Sequence, residues 1–152
     1  MKIFAATALG FALIGAPAFA DSHATGDAEA GEKVYNKCKA CHMIQDADGN
    51  DIVKGGRTGP NLYGIYMRVA GSEDFRYGDS LVEAGEAGLE WNEEAFVKYV
   101  ADPKKFLAEY NDDKRAKSKM SFKLKNEEDA TNLWAYLVSV GPEVEMEEKS
   151  DG

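Results

Sequence analysis

Apolar residues recur at helical spacing in three stretches of the chain. Ala30, Val34, Cys38 and Cys41 follow one another at intervals of three or four behind Asp27, whose short carboxylate suits a helix N-cap. A second start is written in Trp91-Asn92-Glu93-Glu94: Asn92 caps, the glutamates suit the positive helix end, and Phe96, Tyr99 and Val100 form a buried face until Pro103 ends the element near Ala101. The third runs from about Glu127 to Val140 behind Asn126, with Ala130, Leu133, Trp134, Leu137 and Val138 on one stripe and Gly141-Pro142 as the stop.

The intervening stretches carry weaker patterns. Residues 43–59 are polar and rich in Gly and Asp, which predicts an extended loop or loose hairpin. Residues 62–70 are mostly apolar around Arg68, Phe75-Arg76-Tyr77 is an aromatic and basic cluster, and residues 104–125 read as one long basic limb holding Met120. Residues 21–26 are small and polar, as in a loose terminus. Gly31, inside the first helix, is either a tolerated surface glycine or the mark of another backbone passing close by. Without repeats, and without strands beyond short fragments, the pattern predicts an all-α fold.

The two ends change the picture of how much chain folds. Lys2, a nearly unbroken apolar or small run from Ile3 to Ala16, and Ala18-Phe19-Ala20 have the form of a secretory signal at residues 1–20. Residues 21–142 are then one domain, and the acid-rich segment 143–152 reads as a disordered tail. Removing residues 1–20 takes Lys2 with it, so the formal charge of −9 becomes −10. Against that background residues 98–125 hold nine basic and four acidic side chains, a local +5 that gives the molecule an electric dipole. Nucleic acid is a poor partner for so acidic an exported protein.

Chemistry is concentrated in Cys38-Lys39-Ala40-Cys41-His42. On a helical turn these two thiols and the imidazole project the same way, so both thiols reach the two vinyl groups on one edge of a haem while His42 rises to its iron. A zinc site needs a further ligand pair, and His23 is the only other histidine, with no other cysteine anywhere. A redox dithiol belongs behind a strand in an alternating strand–helix pattern, which is absent. Export also suits the motif, because covalent haem attachment uses both thiols outside the reducing cytosol. An EF-hand reading of Asp46, Asp48 and Asn50 fails on the position of Gly49 and the missing glutamate.

A second axial ligand must approach from the other haem face, which excludes Met43, the neighbour of His42. His23, Met67, Met120 and Met146 remain, as does an open site. His23 and Met146 lie near the chain ends, whereas Met120 sits on a limb braced between two helices. Pro60, in Thr58-Gly59-Pro60-Asn61-Leu62, can offer a rigid carbonyl to the second ring N–H of an axial histidine, or simply make a turn.

The order of Gly31, Cys38 to His42, Thr58 to Gly64, Trp91, Tyr99 to Phe106, Ser118 to Phe122 and Leu133 to Leu137 resembles class I cytochrome c, the mitochondrial-type family. Its extended loops and acidic tail are similar to those of the larger bacterial members, the periplasmic cytochromes c-550. The resemblance implies a single-domain fold whose N- and C-terminal helices cross around one covalent haem c, Cys38 and Cys41 as thioethers, and His42 and Met120 as axial ligands. It further implies that the Pro60 carbonyl accepts from His42, that Tyr99 and Ser118 lie around Met120, and that Arg68, Tyr77 and Trp91 surround the haem propionates. Gly31 would let the first helix cross the last.

The function so implied is that of a monomeric periplasmic electron carrier, not an enzyme. It would take electrons from a membrane cytochrome bc-type quinol oxidoreductase and pass them to a cytochrome c oxidase, or to periplasmic reductases or a peroxidase, meeting the membrane only through those complexes. The ring of docking lysines would be Lys37, Lys39, Lys104, Lys105, Lys117, Lys119 and Lys123. The alternative is a peroxidase-like or gas-binding haem protein with an open sixth site. The segments between His42 and Gly59 and between Phe106 and Ser118 are longer than in the mitochondrial protein, so the partner surface is where the resemblance is weakest.

Overall fold

A computed structural model describes residues 23–143; the proposed signal and all but the first residue of the acidic tail lie outside them. Five helices carry the described chain: α1 (Ala28–Tyr35), α2 (Asp79–Glu86), α3 (Glu93–Ala101), α4 (Pro103–Tyr110) and α5 (Glu127–Ser139). The expected caps are in place. Asp27 accepts from the backbone N–H groups of Glu29 and Ala30, Asn92 from Ala95, and Asn126 from Asp129.

The core forms where α1 and α5 cross. Gly31 lies in the crossing, and a Cβ there would stand 1.9 Å from the carbonyl oxygen of Asn132 and 2.8 Å from the Cβ of Tyr136. Only a residue without a side chain permits so close an approach. Around this contact α5 buries Ala130, Leu133, Trp134 and Leu137, and α3 lays Phe96 against Trp134 at a ring separation of 5.2 Å. Next, α4 packs on α3, and α2 on α4.

Three local expectations are corrected. First, α1 ends at Tyr35, before Cys38, and the chain then tightens into turns: Lys37 N–H donates to Val34 O (2.9 Å) and Cys38 N–H to Tyr35 O (2.8 Å). Second, Pro103, read only as a helix stop, and the first part of the long basic limb of residues 104–125 form α4 (Pro103–Tyr110). Asp102 ends α3 and its side chain caps α4, accepting from Lys105 N–H at 3.2 Å, while Pro103 occupies the first turn. The same proline that stops one helix starts the next.

Third, the segment after residue 22 is tied down. Trp134 Nε1–H donates to His23 O (2.8 Å), Thr25 donates from both its backbone N–H and its hydroxyl to Glu93, and Asp27 N–H donates to Asn132 Oδ1 (2.8 Å). A polar composition does not make a loose end where distant partners satisfy each polar group.

The loose hairpin exists as β1 (Ile44–Gln45) antiparallel to β2 (Asp51–Val53). Its turn is self-contained: the Asp46 carboxylate accepts from the backbone N–H groups of Asp48 and Asn50 and from the Asn50 side chain, and these bonds hold its pKa below the usual carboxylate range.

In a second small ladder, Met67 N–H donates to Trp91 O (2.8 Å), Trp91 N–H to Arg68 O (3.0 Å) and Ala70 N–H to Leu89 O (2.8 Å). This ladder brings residue 91 beside residue 68. Gly31→Ala is expected to lower stability by about 3 kcal/mol through the forced separation of α1 and α5. A urea-unfolding midpoint equal to that of the parent protein would contradict the packing described.

Candidate haem site

The Cys38–His42 turn is a rigid platform. Both Cys41 N–H and His42 N–H donate to Cys38 O at 3.0 Å, which keeps the two cysteines and the histidine on one turn. The loop that follows β2 is laced to it: Gly56 N–H donates to Lys39 O (2.9 Å) and Gly59 N–H to Cys41 O (2.8 Å). Gly55 and Gly56 lie so close that a Cβ on either would meet the His42 or Ala40 carbonyl oxygen at 1.9 or 2.1 Å. From below, Tyr35 Oη donates to His42 O at 3.0 Å, with its ring stacked at a tilt against Tyr136. Burial raises the Tyr35 phenol well above the usual tyrosine range, so it remains a donor.

Both thiols are free, Cys38 partly buried and Cys41 exposed. Burial pushes the Cys38 thiol up to about 11, Lys37 opposing and Cys41 adding to the shift.

The His42 ring is fixed from two sides. Its Nδ1 lies 2.8 Å from Pro60 O. A carbonyl can only accept, so Nδ1 carries the proton and Nε2 keeps its lone pair. Gly59 lies against the ring face, where a Cβ would come within 2.4 Å of Cε1. Burial pulls the His42 pKa below its ordinary value, which favours the neutral imidazole, and the Pro60 bond opposes that shift.

Arg68 holds the next loop. Its guanidinium donates to Asn61 O (3.0 Å) and Tyr63 O (3.2 Å), with its side chain 10% exposed and Glu73 3.8 Å away. Burial lowers its pKa, an effect that the neighbouring Tyr77 and Glu73 oppose. Asn61 completes the lacing, its amide donating to Gln45 O (2.7 Å) and its oxygen accepting from Gln45 and Tyr63 N–H. Trp91 is buried with its ring edge-on to Tyr99 at 5.0 Å.

Met120 is partly buried against the core. The Ser118 hydroxyl donates to Met120 O (3.0 Å) and accepts from Met120 N–H (3.2 Å). Ser80 clasps the preceding loop at both ends, its carbonyl accepting from Asn111 Nδ2 (2.8 Å) and its hydroxyl from Lys117 N–H (3.0 Å). Met67 lies elsewhere, 48% exposed, in a cleft with His23 and Tyr66.

The family model for cytochrome c matches residues 28–141, which span all of these elements.

The chain belongs to the cytochrome c family.

Cytochrome c-551 of Roseobacter denitrificans is 56% identical over 135 residues, covering 89% of this chain and 93% of that protein. Cytochrome c-550 of Paracoccus denitrificans is 47% identical over 147 residues, with coverage of 94% and 91%. The X-ray structure of cytochrome c2 from Rhodobacter sphaeroides superposes with a TM-score of 0.75 at 54% identity, covering 77% of this chain and 98% of that one. The class I fold expected of this family is present, its cofactor is one covalent haem c, and the protein is a haem c electron carrier. Among the described residues no helix is long and apolar enough to cross a membrane.

Sequence reasoning gave no positioning role to Asn61, Gly55 or Ser80, which hold the loops around the Cys38–His42 turn and before Met120. Asn61 follows the proline of the Gly59-Pro60 turn, and that placement was the available sign of its bridging role. Arg68→Lys replaces a fork held on two carbonyls by a single ammonium, and a loss of about 2 kcal/mol in urea unfolding is expected. An unchanged midpoint would contradict that role.

Proposed function

We propose that Cys38 and Cys41 form the two thioethers to the haem, and that His42 and Met120 are its axial ligands. The observation that supports this most is the His42–Pro60 hydrogen bond, which leaves Nε2 unprotonated on an oriented ring. The free thiols on the same turn and the Ser118 brace on Met120 fit the rest of the assignment. When bound, the haem supplies a reversible one-electron couple.

His42 and Met120 together leave no position for a substrate, so the protein acts as a carrier and not as an enzyme. Met120, a soft thioether, favours the reduced state and raises the potential. Arg68, Tyr77 and Trp91 are assigned to the propionate side.

The protein works as a soluble monomer in the periplasm after loss of residues 1–20, which lie outside the described structure, as does most of the tail. Its donor is a quinol–cytochrome c oxidoreductase, and its acceptors are a terminal cytochrome c oxidase or periplasmic reductases. Docking rests on the basic segment. Lys37, Lys105 and Lys123 are paired with Asp129, Glu109 and Asp102. Among the described residues Lys39, Lys104, Lys117 and Lys119 form no such pair, and they are the charges assigned to steering.

Met120→Ala is expected to keep the haem covalently attached, lose the near-infrared thioether band of the oxidised spectrum, lower the potential and admit carbon monoxide. A spectrum identical to the parent's would sink the ligand assignment, and rapid peroxide turnover by the unmodified protein would favour an open sixth site. Lys104→Glu with Lys119→Glu is expected to slow electron transfer to an oxidase about tenfold at low salt and little at high salt. Equal slowing at both would remove steering from the account.

A further inference from the structure

Oxidising a phenol is difficult unless a base takes its proton in the same step, because a phenol that has lost an electron is a very strong acid. The useful question for each tyrosine is therefore what its hydroxyl touches. Tyr35 donates to the His42 carbonyl, which is not a base that can keep a proton. Tyr66 is different. Its hydroxyl lies 2.6 Å from Nδ1 of His23, with the two rings 4.5 Å apart. Among the described residues it is the tyrosine whose hydroxyl meets an imidazole.

We propose that Tyr66 and His23 form a proton-coupled redox pair: when a small diffusible one-electron oxidant attacks, Tyr66 gives the electron to the oxidant and its hydroxyl proton to Nδ1 of His23. The balance closes with a neutral tyrosyl radical, an imidazolium and an oxidant reduced by one electron. With Tyr66 donating, the imidazole's own proton sits on Nε2, which is buried and has no hydrogen-bond partner among the described residues. The transferred proton therefore stays at Nδ1, facing the oxygen it came from.

The surroundings support this role in two ways. Trp134, fully buried, lies with its ring 6.4 Å from that of Tyr66 and donates its indole N–H to the carbonyl of the same His23 at 2.8 Å. A carbonyl cannot retain that proton, so an electron lost from Trp134 is refilled from Tyr66, and the pair becomes the end point for oxidation of the aromatic interior. Tyr66 and His23 also line a cleft of about 280 Å³ with Met67, Asn92, Glu93 and Glu94, through which a small oxidant reaches them.

The test uses the ferric holoprotein, with the azidyl radical generated by pulse radiolysis as the small one-electron oxidant and freeze-trapped electron paramagnetic resonance as the readout. A tyrosyl signal is expected that narrows on ring-deuterated tyrosine labelling. Tyr66→Phe should abolish it, whereas Tyr63→Phe should leave it unchanged. His23→Gln keeps a hydrogen-bond acceptor but not a base, and should slow radical formation at least about tenfold. A signal of parental yield in Tyr66→Phe, or of parental rate in His23→Gln, would overturn the proposal.

Discussion

The hydrogen bond from His42 Nδ1 to the Pro60 carbonyl is the constraint on which the rest of the site depends. It fixes the ring's tautomer and orientation with one contact, and the contact requires the loop of residues 55–62 to lie flat on the Cys38–His42 turn. That requirement explains the glycines at 55, 56 and 59, each of which would collide with the turn if it bore a side chain. It also explains why Asn61 and Arg68 are spent on backbone groups: they hold the loop that presents the carbonyl.

The scaffold serves the same end from the other side. Tyr35, on the helix that crosses α5 at Gly31, holds the His42 carbonyl. A change in the crossing distance is therefore felt at the ring through a single side chain, so core packing and site geometry are one problem here. The electron-carrier reading asks for little else. The protein supplies a fixed nitrogen, a braced methionine and a charge distribution.

Much of this was legible in the sequence because the signals were local. Asp27, Asn92 and Asn126 cap the helices they were expected to cap, and Pro60 makes the bond that its missing N–H and fixed φ suggested. Two helices escaped for different reasons. At α4, Asp102-Pro103 carries both a stop and a start, and only the stop was read. At α2, Gly78 offers no side-chain cap, so only the stop was written, in Gly88 at positive φ behind the C-cap Ala87, and the start went unread. The anchoring of His23 and the meeting of Arg68 with Trp91 depend on bonds spanning 111 residues in one case and on a short ladder in the other. Local patterning carries no trace of either.

The Ser80 clasp bears on how this chain can tolerate change. Because one serine grips both Asn111 and Lys117, the stretch between them begins and ends at the same point in space whatever its length. Extra residues inserted there add only the slowly growing entropy of a longer closed loop, and the methionine beyond is not displaced. The size and charge of this surface can therefore change while the Ser118 brace beyond it stays where it is.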